Sequence, residues 1–256
     1  MSATDEWEDE KGQRMTDVIE RDVAYAHGDT RMLGWFVAPA GAAGAPVVVL
    51  VHDAFGLGSA LKSLARRYAD LGYAVFAADV WGDRREPASG DDIGRLIGSM
   101  AADREDWLGR IGAAHVAAAS QPEVAAERIA SVGYCFGGAS VIEYVRTGGI
   151  SRGIASIHGG LDLVAQDWSA PTATARVLLC TGADDPMAAP RHWQPIKAGL
   201  TAAGIDWELD LYGGVQHGFT NPKSDDLPTP GVAYDPRAAA RAWASTQRFL
   251  AEVLDE

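Results

Sequence analysis

Seven residues near the first quarter of the chain, Pro46-Val47-Val48-Val49-Leu50-Val51-His52, form an apolar, β-branched run with no polar residue before the histidine. A strand with one face in water alternates apolar and polar side chains. A run that is apolar at every position has to be covered on both faces, as the strands of a parallel sheet between helices are. The rest of the chain supplies the partners. Further strands are expected at Tyr73-Ala74-Val75-Phe76-Ala77-Ala78-Asp79, around Arg128 to Val132, at Gly153 to His158, at Arg176 to Thr181 and at Trp207 to Tyr212. Between them lie helical patterns: Leu61 to Leu71, Asp91 to Met100, Glu105 to Ser120, Arg191 to Ala203, and a last one from Asp235 to Leu254. Ahead of the run, two strand-like stretches flank His27-Gly28-Asp29-Thr30, and a Gly-Asp pair in that setting signals a hairpin. Strands alternating with helices define an α/β chain with a mostly parallel central sheet flanked by helices on both faces. Residues 1–17, rich in Asp and Glu, are expected to be a flexible acidic tail, and residues 18–256 a single domain.

Composition narrows the partners. The net charge is −13 over 256 residues and the pI about 4.8. Phosphate binding needs a basic patch, and nothing exceeds the pairs Arg66-Arg67 and Arg84-Arg85, so nucleic acid is not an expected partner. No window reaches the ~20 apolar residues of a membrane helix, and no signal peptide is visible. Two cysteines, Cys135 and Cys180, build no disulfide framework, which suits a reducing cytoplasm. No His/Cys/carboxylate group has metal-ligand spacing, so neither metal nor cofactor is expected.

The chemistry concentrates at Gly133-Tyr134-Cys135-Phe136-Gly137-Gly138. A short strand precedes it and a helix follows, with one nucleophile at the corner and glycines where strand and helix must approach closely. This is the nucleophile-elbow pattern with Cys in place of Ser. A thiol there needs a base, and the base needs an orienting acid. On elbow-bearing α/β sheets these follow in the order nucleophile, acid, histidine. His158 comes before any strand-end acid, and His192 falls early in a helix, seven residues after Asp185. His217, in a loop directly after a strand, is the expected base. The acid is Asp185 or Asp184, in the turn before Pro186; Pro186 favours an extended Asp185 and so that residue. Developing negative charge on a substrate oxygen needs N–H donors, expected from Phe136 and from Ala54 in the loop after His52. Asp53 would lie beside the thiol and shape its ionisation.

These motifs resemble the dienelactone hydrolase family of α/β-hydrolases, over roughly Tyr25 to Leu254. The resemblance rests on Val51-His52-Asp53-Ala54-Phe55-Gly56, Gly72-Tyr73, the elbow, Gly182-Ala183-Asp184-Asp185-Pro186 and His217-Gly218-Phe219. It implies an α/β-hydrolase fold and a Cys135-Asp185-His217 triad that cleaves a small ester or lactone through an acyl-thioester. Two positions depart from the family pattern: Asp53 stands where the family carries Glu, and Asn221 where it carries an arginine for the substrate carboxylate. Arg84 or Arg85 could fill a second arginine's role. Trp81, His158, Phe219 and Tyr234 are further candidates for the pocket wall.

The leading expectation is a cytoplasmic, cofactor-independent cysteine hydrolase, monomeric or homodimeric, acting on a small ester or lactone. A thioesterase or acyltransferase would use the same triad. A non-catalytic small-molecule-binding homologue would lack need of it, and a thiol redox sensor would want a resolving cysteine, for which only Cys180 is available.

Overall fold

The apolar run over residues 46–51 lies in the third strand of an eight-stranded sheet. In a computed structural model describing residues 17–169, 175–227 and 229–255, the strands are β1 (Val18–His27), β2 (Thr30–Pro39), β3 (Ala45–Val51), β4 (Ala74–Ala78), β5 (Val124–Tyr134), β6 (Gly153–Ile157), β7 (Arg176–Gly182) and β8 (Trp207–Tyr212). Of the expected acidic tail, all but Asp17 lies outside the described residues. The spatial order is β1-β2-β4-β3-β5-β6-β7-β8. The hairpin β1–β2 and the β2–β4 pair are antiparallel; every other pair is parallel. Gly28, at φ +52°, makes the hairpin turn.

Helices cover both faces, which is why β3 is apolar throughout. Val47, Val49 and Val51 lie on the face covered by α2 (Gly90–Ala102), α3 (Arg104–Ala119), α4 (Phe136–Arg146) and α5 (Pro190–Ala202), in one apolar core with Met100, Trp107, Ile142 and Leu200. Val48 and Leu50 lie on the face covered by α1 (Ser59–Ala69) and α6 (Pro236–Leu254), in one apolar core with Tyr68, Phe249 and Leu250. Side chains of successive strand residues point to opposite faces, so one strand feeds both cores. Helix starts follow local chemistry: Ser89, Asp103 and Asp235 accept the N–H of Asp92, Asp106 and Ala238, satisfying amides that a first helical turn leaves free.

The strand order reverses between β3 and β5. Their registers align Val51 with Gly133, so the loop after β3 and the corner after β5 emerge side by side at the carboxyl edge. Such a switch point opens a crevice above the sheet, and ligand sites on sheets of this kind form there.

Candidate active site

Cys135 occupies the corner between β5 and α4 with φ +53° and ψ −114°, a conformation that a residue with a Cβ adopts only when its surroundings enforce it. The enforcement is visible. The Cys135 N–H donates to the Ile157 carbonyl (3.1 Å), and its own carbonyl accepts from Gly138, Ala139 and Gly160 at 3.0, 3.2 and 3.0 Å. The flanking glycines are sterically required. A Cβ on Gly133 would collide with the Gly137 carbonyl, and one on Gly137 with the carbonyl of Val51 and, at 2.7 Å, that of His52. Backbone blocks both positions, so no side chain can swing aside. Gly137→Ala is expected to cost about 3 kcal/mol or more, read as a lower urea midpoint; an unchanged midpoint would show that β3 and α4 can separate freely.

Asp185 and His217 arrive from the loops after β7 and β8. Asp185 caps the 3₁₀ turn Pro186–Ala188, its Oδ1 accepting the Met187 N–H at 2.8 Å, and only 1% of it is exposed. Its Oδ2 accepts the proton of His217 Nδ1 at 2.8 Å. Asp184 points outward and is exposed. His217 is 4% exposed, and its Nε2 lies 3.1 Å from the half-buried Cys135 Sγ. Burial opposes charge on this imidazole, yet Cys135 on one nitrogen and Asp185 on the other outweigh it and push its pKa up to about 10. Thiol, imidazole and carboxylate thus form one continuous hydrogen-bonded chain.

Among the described residues, the N–H groups of Ala54 and Phe136 meet no acceptor. Phe136 opens α4, whose first-turn amides have no intrahelical partner. The Asp53 carboxylate accepts the Phe55 N–H at 2.8 Å, and no hydrogen bond joins it to the thiol among the described residues. Burial pushes the Asp53 carboxyl up, against that N–H and the charge of His217. His52 braces this loop. Its Nε2 accepts the Val80 N–H at 3.1 Å, so Nδ1 carries the proton and donates to the Asp53 carbonyl at 2.6 Å.

Other residues singled out by sequence are placed elsewhere. Arg84 is turned away from the crevice and fastens the outer sheet, donating to the carbonyls of Leu33 (3.1 Å) and Gly34 (2.8 Å) and pairing with Asp22 at 2.8 Å. Arg85 pairs with Asp92 at 2.6 Å. Trp81, His158 and Phe219 are 5%, 3% and 0% exposed, so they pack beneath the site and present little surface to a ligand. Trp81 lies against Phe136 with ring centroids 4.5 Å apart, and Phe136 stacks on Trp107 at 5.2 Å. His158, at φ +37°, sits edge-on to His217 with centroids 5.3 Å apart, and its Nε2 is held 2.8 Å from Thr220 Oγ1. Burial and the charge of His217 hold the His158 pKa well below its ordinary value. His192 is held through Nδ1, 3.1 Å from the Met187 carbonyl, which the imidazole faces as donor.

Three features had no clear sequence signal. Thr220 tethers His158. Glu143, wholly buried in α4, binds Arg104, Arg146 (2.6 Å) and the Ala165 N–H (2.9 Å), while Arg104 and Arg146 also donate to the carbonyls of Leu163 and Asp167. This ties the loop after β6 to the helix behind Cys135. That loop opens with the 3₁₀ turn Leu161–Leu163, which carries the exposed Asp162. Among the described residues no His/Cys/carboxylate group is arranged to hold a metal.

A parallel sheet with a strained nucleophile corner after a central strand, and an acid and a histidine after later strands, is the architecture of the α/β-hydrolases. Residues 32–254 match the model of the dienelactone hydrolase family, and the chain belongs to that family of ester and lactone hydrolases. A dienelactone hydrolase-like promiscuous phosphotriesterase from metagenomic libraries has a similar structure: TM-score 0.87 and 35% identity, over 92% of this chain and 98% of that one. Dienelactone hydrolase from Anabaena variabilis shares the fold at TM-score 0.63 and 16% identity, over 93% and 99% of the two chains. Protein usf of Aquifex pyrophilus is 24% identical over 237 residues, 91% of this chain and 98% of the relative.

Proposed function

We propose that the protein hydrolyses a small ester or lactone with Cys135 as nucleophile, His217 as proton carrier and Asp185 as orienting acid. The observation that carries this reading is the unbroken chain from Sγ to Nε2 (3.1 Å) and from Nδ1 to Oδ2 (2.8 Å), seated on a strained elbow. His217 Nε2, 3.1 Å from Sγ, takes the thiol proton, and the thiolate is the form that attacks. Sγ adds to the substrate carbonyl carbon, and the oxygen that gains the electron pair meets the free N–H groups of Phe136 and Ala54. The C–O bond to the leaving group breaks, and His217 gives that oxygen the Nε2 proton. Cys135 is then an uncharged thioester. The charge that held the proton on His217 is gone, burial now favours neutral imidazole, and Nε2 takes a proton from water as that water attacks the thioester. The C–S bond breaks and the thiolate returns to its partner.

Relatives support the reaction class. One from Bradyrhizobium, 24% identical over 232 residues, is named "Probable 2-oxo-3-(5-oxofuran-2-ylidene)propanoate lactonase". The phosphotriesterase neighbour adds a second electrophile, a neutral phosphate triester, at which the same thiolate could displace an aryloxide. Two free cysteines, Cys135 and the buried Cys180, suit a reducing compartment, so the cytoplasm is the proposed setting.

The test is a panel of p-nitrophenyl esters, small lactones and an aryl phosphate triester, with wild type and Cys135→Ala, plus mass spectrometry of protein quenched during turnover. An acyl mass on the peptide containing Cys135, and turnover that vanishes in Cys135→Ala, are expected. Turnover equal in both proteins would move the nucleophile elsewhere.

A further inference from the structure

Two of the loops that border Cys135 each carry a carboxylate. Asp53 stands next to the free Ala54 N–H on the loop after β3. Asp162 stands two residues beyond Gly160, whose N–H is bonded to the Cys135 carbonyl at 3.0 Å, on the loop that the Glu143 cluster fixes to α4. Neither carboxylate has an ion-pair partner among the described residues. The ionisable groups acting on Asp162 are His192, His217 and Asp185, and the one acting on Asp53 is His217; no arginine or lysine is among them. Burial raises the pKa of both.

Five arginines of the surrounding loops and helices are committed elsewhere. Arg84 and Arg85 are bound to Asp22 and Asp92, Arg104 and Arg146 to Glu143, and Arg110 to Asp106 at 2.7 Å and to the Val80 carbonyl at 2.9 Å. Beyond His217, Asn221 spends its side-chain oxygen on the Lys223 N–H (3.0 Å), and Lys223 is exposed. Whichever of Sγ and Nε2 holds their shared proton, the triad carries one net negative charge, that of Asp185. Asp53 and Asp162 add two more at the entrance.

Resting on the hydrolase reading above, we infer that the site takes substrates whose acyl and alcohol portions are uncharged or cationic and rejects those bearing a carboxylate, with Asp162 and Asp53 setting this discrimination. A carboxylate entering here meets like charge without a counter-cation and loses hydration as it does so. A neutral chain meets no such penalty, and a quaternary ammonium gains attraction.

Three esters of matched length test this: p-nitrophenyl butyrate, mono-p-nitrophenyl succinate and the p-nitrophenyl ester of 4-(trimethylammonio)butanoate. Each kcat/KM is divided by the ester's own hydroxide-catalysed rate, to remove intrinsic reactivity. The neutral-to-anionic ratio is expected to be about 30-fold or more at low salt, falling several-fold at about 0.5 M salt. Asp162→Asn, at an exposed position where folding is not at risk, is expected to lower the same ratio about 5-fold, and Asp53→Asn to lower it further. The cationic ester should be processed at least as well as the neutral one. Equal or better use of the succinate ester would overturn the inference and leave the hydrolase standing. So would a ratio that neither salt nor either substitution moves. If no ester is turned over above the Cys135→Ala background, the hydrolase reading fails and the charge inference falls with it.

Discussion

His217→Ala is expected to lower kcat by about 10³-fold or more, with KM changed far less. Among the described residues the imidazole is the sole link between the thiol and Asp185, touching Sγ at 3.1 Å and Oδ2 at 2.8 Å, and in the proposed mechanism its removal leaves the leaving group without a proton and the water without a base. Asp185→Asn should fail for a different reason. Its Oδ1 position must accept the Met187 N–H, so an asparagine oxygen is claimed there and the NH₂ is presented to His217 Nδ1. Two donors then face one another, and the ring is driven toward the tautomer with its proton misplaced. Stopped assays with a p-nitrophenyl ester, alongside circular dichroism to confirm folding, measure both. Near-normal kcat in His217→Ala would exclude it as base. The buried, Thr220-bound His158 and His192 would then have to be tested.

The second large effect is in proton affinity. The His217 imidazole is expected to keep its proton to about pH 10 in the resting protein and to release it at least about two units lower once Cys135 is alkylated. Burial works against the charge; Cys135 works for it as an ion and as a hydrogen-bond partner, and Asp185 adds to that. Alkylation deletes both contributions of Cys135 and leaves burial opposed by Asp185 alone. The sign for stability follows. A raised folded-state pKa contributes stability that is complete below the ordinary histidine value near 6.5 and is lost as pH rises through 10. The wild type should therefore weaken across that alkaline window more than Cys135→Ala does. Imidazole ¹⁵N chemical shifts against pH, before and after iodoacetamide, measure the titration directly. A midpoint unmoved by alkylation would mean that the thiol does not hold the proton, and the ion-pair step of the mechanism would have to be withdrawn.

Much of the fold was legible because its signals are local. The all-apolar β3 run, the Gly-Asp hairpin and the elbow glycines each report a constraint that acts within a few residues. The meeting of Cys135 with a histidine 82 positions away was legible through order alone, since loops following consecutive parallel strands open on one edge. Orientation within a loop was not. Asp184 and Asp185 differ by one position, yet one is exposed and the other is 1% exposed, and the choice is made by the 3₁₀ turn that Pro186 begins. Arg84 illustrates the opposite failure. It lies in a crevice-side loop, but three acceptors on β1 and β2 compete for its guanidinium and win, and only the folded hairpin brings them there. Aromatic side chains near the triad were ambiguous for a related reason: Trp81 and Phe219 satisfy a core and a pocket wall equally well in sequence, and burial decides between them.

The Glu143 cluster bears on how this active site can change over time. A carboxylate with no exposure, held by two guanidinium groups, is tolerable only when complete; removal of one member of such a set strands the remaining charges at a cost of about 3–5 kcal/mol, whereas exchanging all of them for apolar groups can be neutral. Single substitutions at Glu143 or Arg146 therefore run uphill even though a triple replacement need not. The trio behaves as a ratchet: it constrains the loop that presents Asp162, and variation in what the entrance admits is channelled to exposed positions such as Asp162 itself, where one base change carries no such toll.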